Sequence, residues 1–150
     1  MSTFTSAHFR LHELADGVFA AIHSDSGSAQ SNAGIVDLGD RVLIFDAFIA
    51  PEAAADLKSA AAALIGRPIS AVINSHYHND HIWGNQAFPN DVPIISTKKT
   101  RELITTLGAE EVTWFRAHSP ERLSALEARL DQQRDEAGDV AGLVQRDPVV

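Results

Sequence analysis

The sequence predicts an α/β (α+β) chain: short strands over the first two thirds, one crossover helix among them, and a helical C-terminal segment. Three observations lead there. The dipeptides Asp16-Gly17 and Gly39-Asp40 each separate two β-rich runs, an alanine-rich stretch at 53–63 lies between two apolar runs, and leucines recur at helical spacing in the last third. With 150 residues, 45% of them hydrophobic and 21% charged, the chain fits a single domain with its own core.

The elements follow in order. "FRLHELA", Asp16-Gly17 and "VFAAIH" read as a hairpin, and residues 24–31, "SDSGSAQS", as a polar loop. "AGIVDL", Gly39-Asp40 and "RVLIFDAF" repeat the strand, turn, strand pattern, and the near-continuous apolar run "VLIFDA" is expected of a strand covered on both faces. Pro51 then opens a helix where its missing N–H costs nothing, Glu52 and Asp56 lie near the positive end, and Gly66 stops it. Leu57, Ala61, Leu64 and Ile65 form its predicted buried stripe. "ISAVIN", after Pro68, is a further central strand, which makes a strand, helix, strand unit. "VPIIS" at 92–96 is one more strand, followed by a helix capped by Ser96 or Thr97 that runs to Leu107 and ends at Gly108. A second helix is expected from Ser119-Pro120-Glu121, with Leu123, Leu126 and Leu130 as its stripe and Gly138 as its end. Strands and first helix thus occupy 8–96 and the helical segment 97–138 of one domain, 1–150.

Charge and composition narrow the function. A formal charge of −8 and a pI near 5.2 disfavour nucleic acid and anionic lipid as partners. There is no cysteine, so any metal must sit on nitrogen and oxygen. The N-terminus lacks the basic and apolar regions of a secretory signal, and no window approaches the roughly 18 apolar residues of a membrane span. The expectation is a cytoplasmic protein with no membrane association.

The chemistry is concentrated in "AVINSHYHNDHIWGN", residues 71–85, where His76, His78, Asp80 and His81 fall within six positions. His76 and His78 are two apart, so on an extended segment leaving a strand they point the same way and can share one cation. Asp80 and His81 follow after a turn and can face a second. Zinc accepts imidazole nitrogen and carboxylate oxygen at about 2.0–2.2 Å, and iron or manganese takes the same donor atoms. Two cations roughly 3.5–4 Å apart can acidify a shared water and hold the oxygen of the group under attack. Asp80 then has a double role, as a ligand and as the carboxylate that orients that water and takes up its proton.

The spacing resembles the His-x-His-x-Asp-His motif of the metallo-β-lactamase superfamily, matched by His76, His78, Asp80 and His81. The similarity extends in strand and helix order over roughly residues 10–107, with "SNAGIVDLGDRVLIFDA" upstream and "WGNQAF" just after the motif. It implies an αββα sandwich with the site at its edge, His76 and His78 on one metal, and Asp80 and His81 on the other. It also implies that Asp46, at the end of the strand before the first helix, supports the site by hydrogen bonding to a ligand. Family members take further ligands from the second half of the fold, and no histidine follows His118 here. The chain is therefore expected to be the N-terminal half of the fold, completed by further sequence or by another copy in a homo-oligomer.

Plainer roles compete for the remaining residues. Asp46 can be a simple turn aspartate before a Pro-started helix. His118 stands just before Ser119 and reads as a polar residue at a helix entrance, while His8, His12 and His23 have no partner at ligand spacing. Trp83 and Phe88 serve either as a pocket mouth or as core. The resulting expectation is a metal-dependent hydrolase that uses zinc, two ions in the complete site, to attack a small-molecule ester, thioester, lactam or similar bond with activated water. An iron-dependent oxidoreductase on the same scaffold and a non-catalytic half-domain that self-associates are the rivals.

Overall fold

A computed structural model describes residues 4–144, with side chains described as far as residue 134. Strands β1 (Phe9–Ala15), β2 (Val18–His23), β3 (Ala33–Asp37), β4 (Val42–Phe45), β5 (Ile69–Ile73) and β6 (Ile94–Ile95) form one mixed sheet, ordered in space as in sequence. The first four are antiparallel neighbours, and β5 and β6 join in parallel. Tight turns join β1 to β2 and β3 to β4, where Gly17 and Gly39 adopt φ of 71° and 93° and a glycine meets no Cβ penalty, and the polar loop 24–32 joins β2 to β3. The parallel step from β4 to β5 needs a crossover, and α1 (Pro51–Leu64) supplies it.

Register explains which face is buried. Phe19, Ile35, Ile44 and Val72 stand side by side across β2 to β5. Ile35, Ile44 and Val72 are fully buried, in one core cluster with Ala53, Ala54, Leu57, Ala60 and Ala61 of α1. Alanine on that helix lets it lie close to the sheet. Phe9 from β1 stacks on Phe48, with ring centroids 5.4 Å apart, and closes one end of the core. The opposite face is open: Phe45 is 43% exposed and Ile95 48%. "VLIFDA" was expected to be covered on both faces, and here only the face carrying Val42 and Ile44 is, because among the described residues of this unit a single helical layer packs on a single sheet.

The helix stripe differs in the same way. Leu57 and Ala61 are buried as expected, but Leu64 and Ile65 are only partly so, and Ala53, Ala54 and Ala60 take the remaining contacts. The "VPIIS" strand shrinks to Ile94–Ile95. Thr97 caps α3 (Lys98–Leu103) by accepting from the Thr100 N–H, and a π-helical turn, Ile104–Gly108, follows.

Two compact units are present, one ending at Gly108 and the other beginning at Ala109. The second is a single helix, α4 (Ala109–Val144), which contains Pro120 and Gly138 rather than starting and stopping at them. Extending a helix already formed takes less free energy than nucleating another, and the Glu-, Arg-, Ala- and Leu-rich surroundings outweigh the roughly 3 kcal/mol penalty of an interior proline. Leu123, Leu126 and Leu130 are exposed along it. No described helix is long and apolar enough to cross a membrane.

Candidate metal centre

The site forms where the parallel strands end. The Asp46 N–H donates to Ile73 O and the Asn74 N–H to Ile95 O, both at 2.8 Å, so Asp46 and Ser75 leave the sheet side by side. The C-terminal edge of parallel strands is the usual place for a ligand in an α/β sheet. Asp46 has φ of 60° and Phe48 of 63°, left-handed values that few side chains tolerate, aspartate and asparagine being among those that do. Phe48, completely buried, anchors the turn in the core. The strained backbone at Asp46 aims its carboxylate across the edge rather than along it.

Three donors converge on that carboxylate. Oδ1 accepts from the Ser75 N–H at 2.8 Å, and Oδ2 accepts from the Ser75 hydroxyl at 2.7 Å and from His81 Nδ1 at 2.8 Å. A carboxylate has no proton to give, so His81 Nδ1–H is the donor of this contact and Nε2 is turned to the other side of the ring. His81 sits on α2 (Asn79–Ile82), a single turn that passes into a 3₁₀ turn, Trp83–Ala87. This segment is fastened to the turn after β4. The His81 carbonyl accepts from the Ala47 N–H at 2.9 Å and from the buried Asn74 amide at 3.2 Å, and the Gly84 N–H donates to Phe48 O at 3.0 Å. A Cβ on Gly84 would lie 1.8 Å from Ala47 O, so only glycine permits the approach. The Asn85 amide pairs with that of Asn74, and the Ser31 hydroxyl donates to the Asp80 carbonyl.

Within this frame the four residues read from the sequence form two facing pairs. His76 Nε2 and His78 Nδ1 are 3.1 Å apart, and His81 Nε2 and Asp80 Oδ2 are 3.5 Å apart. The His76 and His81 rings are adjacent, with centroids 4.2 Å apart, so the pairs are neighbours. Two donors each about 2.0–2.1 Å from one tetrahedral ion stand about 3.3 Å apart, close to both separations. In the second pair His81 Nε2 faces a carboxylate oxygen, two donor atoms of the kind a divalent cation accepts. The set is one of nitrogen and oxygen donors, the chemistry that a divalent cation such as zinc accepts. Among the described residues no three His, Asp or Glu side chains gather closely enough to hold one ion. Burial, with the neighbouring His81 and His78 rings, holds His76 below the ordinary histidine pKa, which favours the neutral, ligating imidazole.

The other histidines lie outside this cluster. His8 pairs with Ser28 and His23 with Asn32, His12 is exposed, and His118 Nδ1 bonds to Trp114 O within α4 rather than standing at a helix entrance. Phe88 belongs to the core and Trp83 is half-buried. The sequence reading passed over Asn74 and Ser75. Their only signal was position, two polar residues between an apolar strand and the first histidine.

The profile of the Metallo-beta-lactamase superfamily matches residues 27–149. Three solved structures share the fold. The metallo-beta-lactamase from Hirschia baltica aligns with TM-score 0.58 and 24% identity, over 67% of this chain and 48% of its own. The metallo-beta-lactamase FIM-1 from Pseudomonas aeruginosa, in its mono-zinc form, gives TM-score 0.58 and 19% identity, over 68% and 47%. The enzyme from Erythrobacter litoralis, crystallised with beta-mercaptoethanol in the active site, gives 0.59 and 20%, over 70% and 48%. The chain spans about half the length of these structures. With the motif, the sheet order and a profile match over most of its length, this chain belongs to the metallo-beta-lactamase superfamily.

Proposed function

We propose that this chain carries half of a hydrolytic metal centre, in which His76 and His78 hold one divalent cation and Asp80 and His81 help to hold a second. The observation that supports this best is the pair of donor couples, 3.1 and 3.5 Å apart, side by side at the end of β5. Zinc suits this sulfur-free set at neutral pH, and the mono-zinc form of FIM-1 supports the choice. When bound, such cations acidify water and polarise the carbonyl of the bond under attack.

The chain's own residues do the rest. The Asp46 carboxylate fixes His81 as the Nδ1–H tautomer, so that Nε2 faces the site. The Asp80 carboxylate, 32% exposed, is open enough to orient an attacking water and receive its proton. Hydrogen bonds between the turns after β4 and β5 position these groups at the site. We assign the substrate to small esters, thioesters or lactams, consistent with an acidic chain that repels phosphate backbones. The remaining ligands come from outside this half-site, either from further sequence or from a second copy of the chain. The cytosol is the proposed compartment.

Metal analysis of protein purified without added metal tests the assignment. Stoichiometric zinc with hydrolysis of a chromogenic ester or lactam is the expected result. Stoichiometric iron with a visible absorption band replaces hydrolysis by redox chemistry, and a folded protein that takes up neither metal overturns the proposal.

A further inference from the structure

We infer that Ser75 is a positioning residue that sets the tautomer of His76 by relaying the Asp46 carboxylate to it. The inference deepens the proposed metal centre and rests on it for its functional meaning. Its geometry stands alone. The Ser75 Oγ lies 2.7 Å from Asp46 Oδ2 and 2.9 Å from His76 Nδ1, between the two.

A hydroxyl has one proton and can accept as well as donate. If that proton pointed at His76, two acceptor oxygens would face each other across 2.7 Å with nothing between them. The carboxylate therefore takes the hydroxyl proton, and the Ser75 oxygen can only accept from His76. His76 then carries its own proton on Nδ1, and its Nε2 lone pair points at His78 Nδ1, 3.1 Å away. The Ser75 N–H, bound to Asp46 Oδ1 at 2.8 Å, keeps the hydroxyl on this line.

One buried carboxylate thus governs an imidazole of each donor couple: His81 directly and His76 through a hydroxyl. This matters because a free neutral imidazole prefers its proton on Nε2, the nitrogen that must be bare here. An outer hydrogen-bond partner of this kind typically changes metal affinity 10- to 100-fold.

The test is nitrogen NMR of the imidazoles in the full chain, metal-free and at a pH where they are neutral. In the parent protein His76 is expected to show a protonated Nδ1 and a bare Nε2. Ser75→Ala is expected to move most of the population to the Nε2–H form and to weaken zinc binding about 10- to 100-fold. Ser75→Thr, which keeps the hydroxyl, is expected to restore both. A protonated Nε2 in the parent, or an unchanged tautomer in Ser75→Ala, overturns the relay. If the tautomer shifts as expected while the parent takes up no zinc, the relay stands and the metal centre fails. If the parent binds zinc and the tautomer ignores Ser75, the reverse holds.

Discussion

Asp46 Oδ2 and His81 Nδ1 stand 2.8 Å apart, although 35 residues separate them, and Asp46 occupies a left-handed backbone conformation to make the contact. The turn that follows β4 and the turn that follows β5 are thereby tied through a single carboxylate. Strain in one loop is exchanged for a fixed imidazole in the other.

Asp46→Asn tests this contact. Asparagine tolerates the left-handed backbone but retains only one acceptor oxygen. Zinc affinity of the complete protein is expected to fall about 10- to 100-fold, measured by competition with a chromophoric chelator, with a smaller change in stability. Asp46→Gly removes the strain along with the carboxylate, and equal affinity loss in both variants assigns the effect to the carboxylate.

Gly84→Ala is expected to destabilise the first unit by about 3 kcal/mol or more, because the new Cβ meets backbone oxygen and the Ala54 methyl, neither of which can yield cheaply. Urea unfolding followed by Trp83 fluorescence, with Trp114 replaced by phenylalanine in both proteins, measures it. A loss under about 1 kcal/mol would show that the segment carrying His81 can move away from the turn after β4.

His78→Ala and His118→Ala should separate cleanly. The first removes half of a donor couple and is expected to abolish tight metal binding, whereas the second removes a ring bonded to Trp114 O on α4 and should leave metal content unchanged. Unchanged metal in His78→Ala would defeat the ligand assignment, and lost metal in His118→Ala would place a ligand on α4.

Acid stability offers a test away from the site. The Gly39 N–H, and then the Arg67 guanidinium, hold the Asp37 carboxyl below the ordinary aspartate range. Because the folded-state pKa is the lower one, the contribution is fully present above about pH 3.9, the unfolded value, and is lost as pH falls through the folded value. Asp37→Asn should therefore flatten the stability curve at its acid end and leave the slope near neutral pH unchanged. A variant whose loss grows as pH rises above 6 would contradict the sign.

Much of this protein was determined by local sequence. Alternating apolar runs, Asp16-Gly17, Gly39-Asp40 and Pro51 specify strands, turns and a helix start by rules that act within a few residues, and all of these appear in the structure. The histidine and aspartate spacing at 76–81 was equally local. Other features depended on what lies across space. The open face at Phe45, the displaced stripe on α1 and the unbroken run of α4 through Pro120 turn on which surfaces find a partner and on helix cooperativity, neither of which a short window encodes. Ser75 and Asn74 look like any polar residues after a strand. Only the parallel pairing of β4 with β5 brings Ser75 against Asp46, 29 positions away, because such contacts are set by sheet register and not by neighbouring side chains, while Asn74 meets the His81 carbonyl only once the chain turns back after β5.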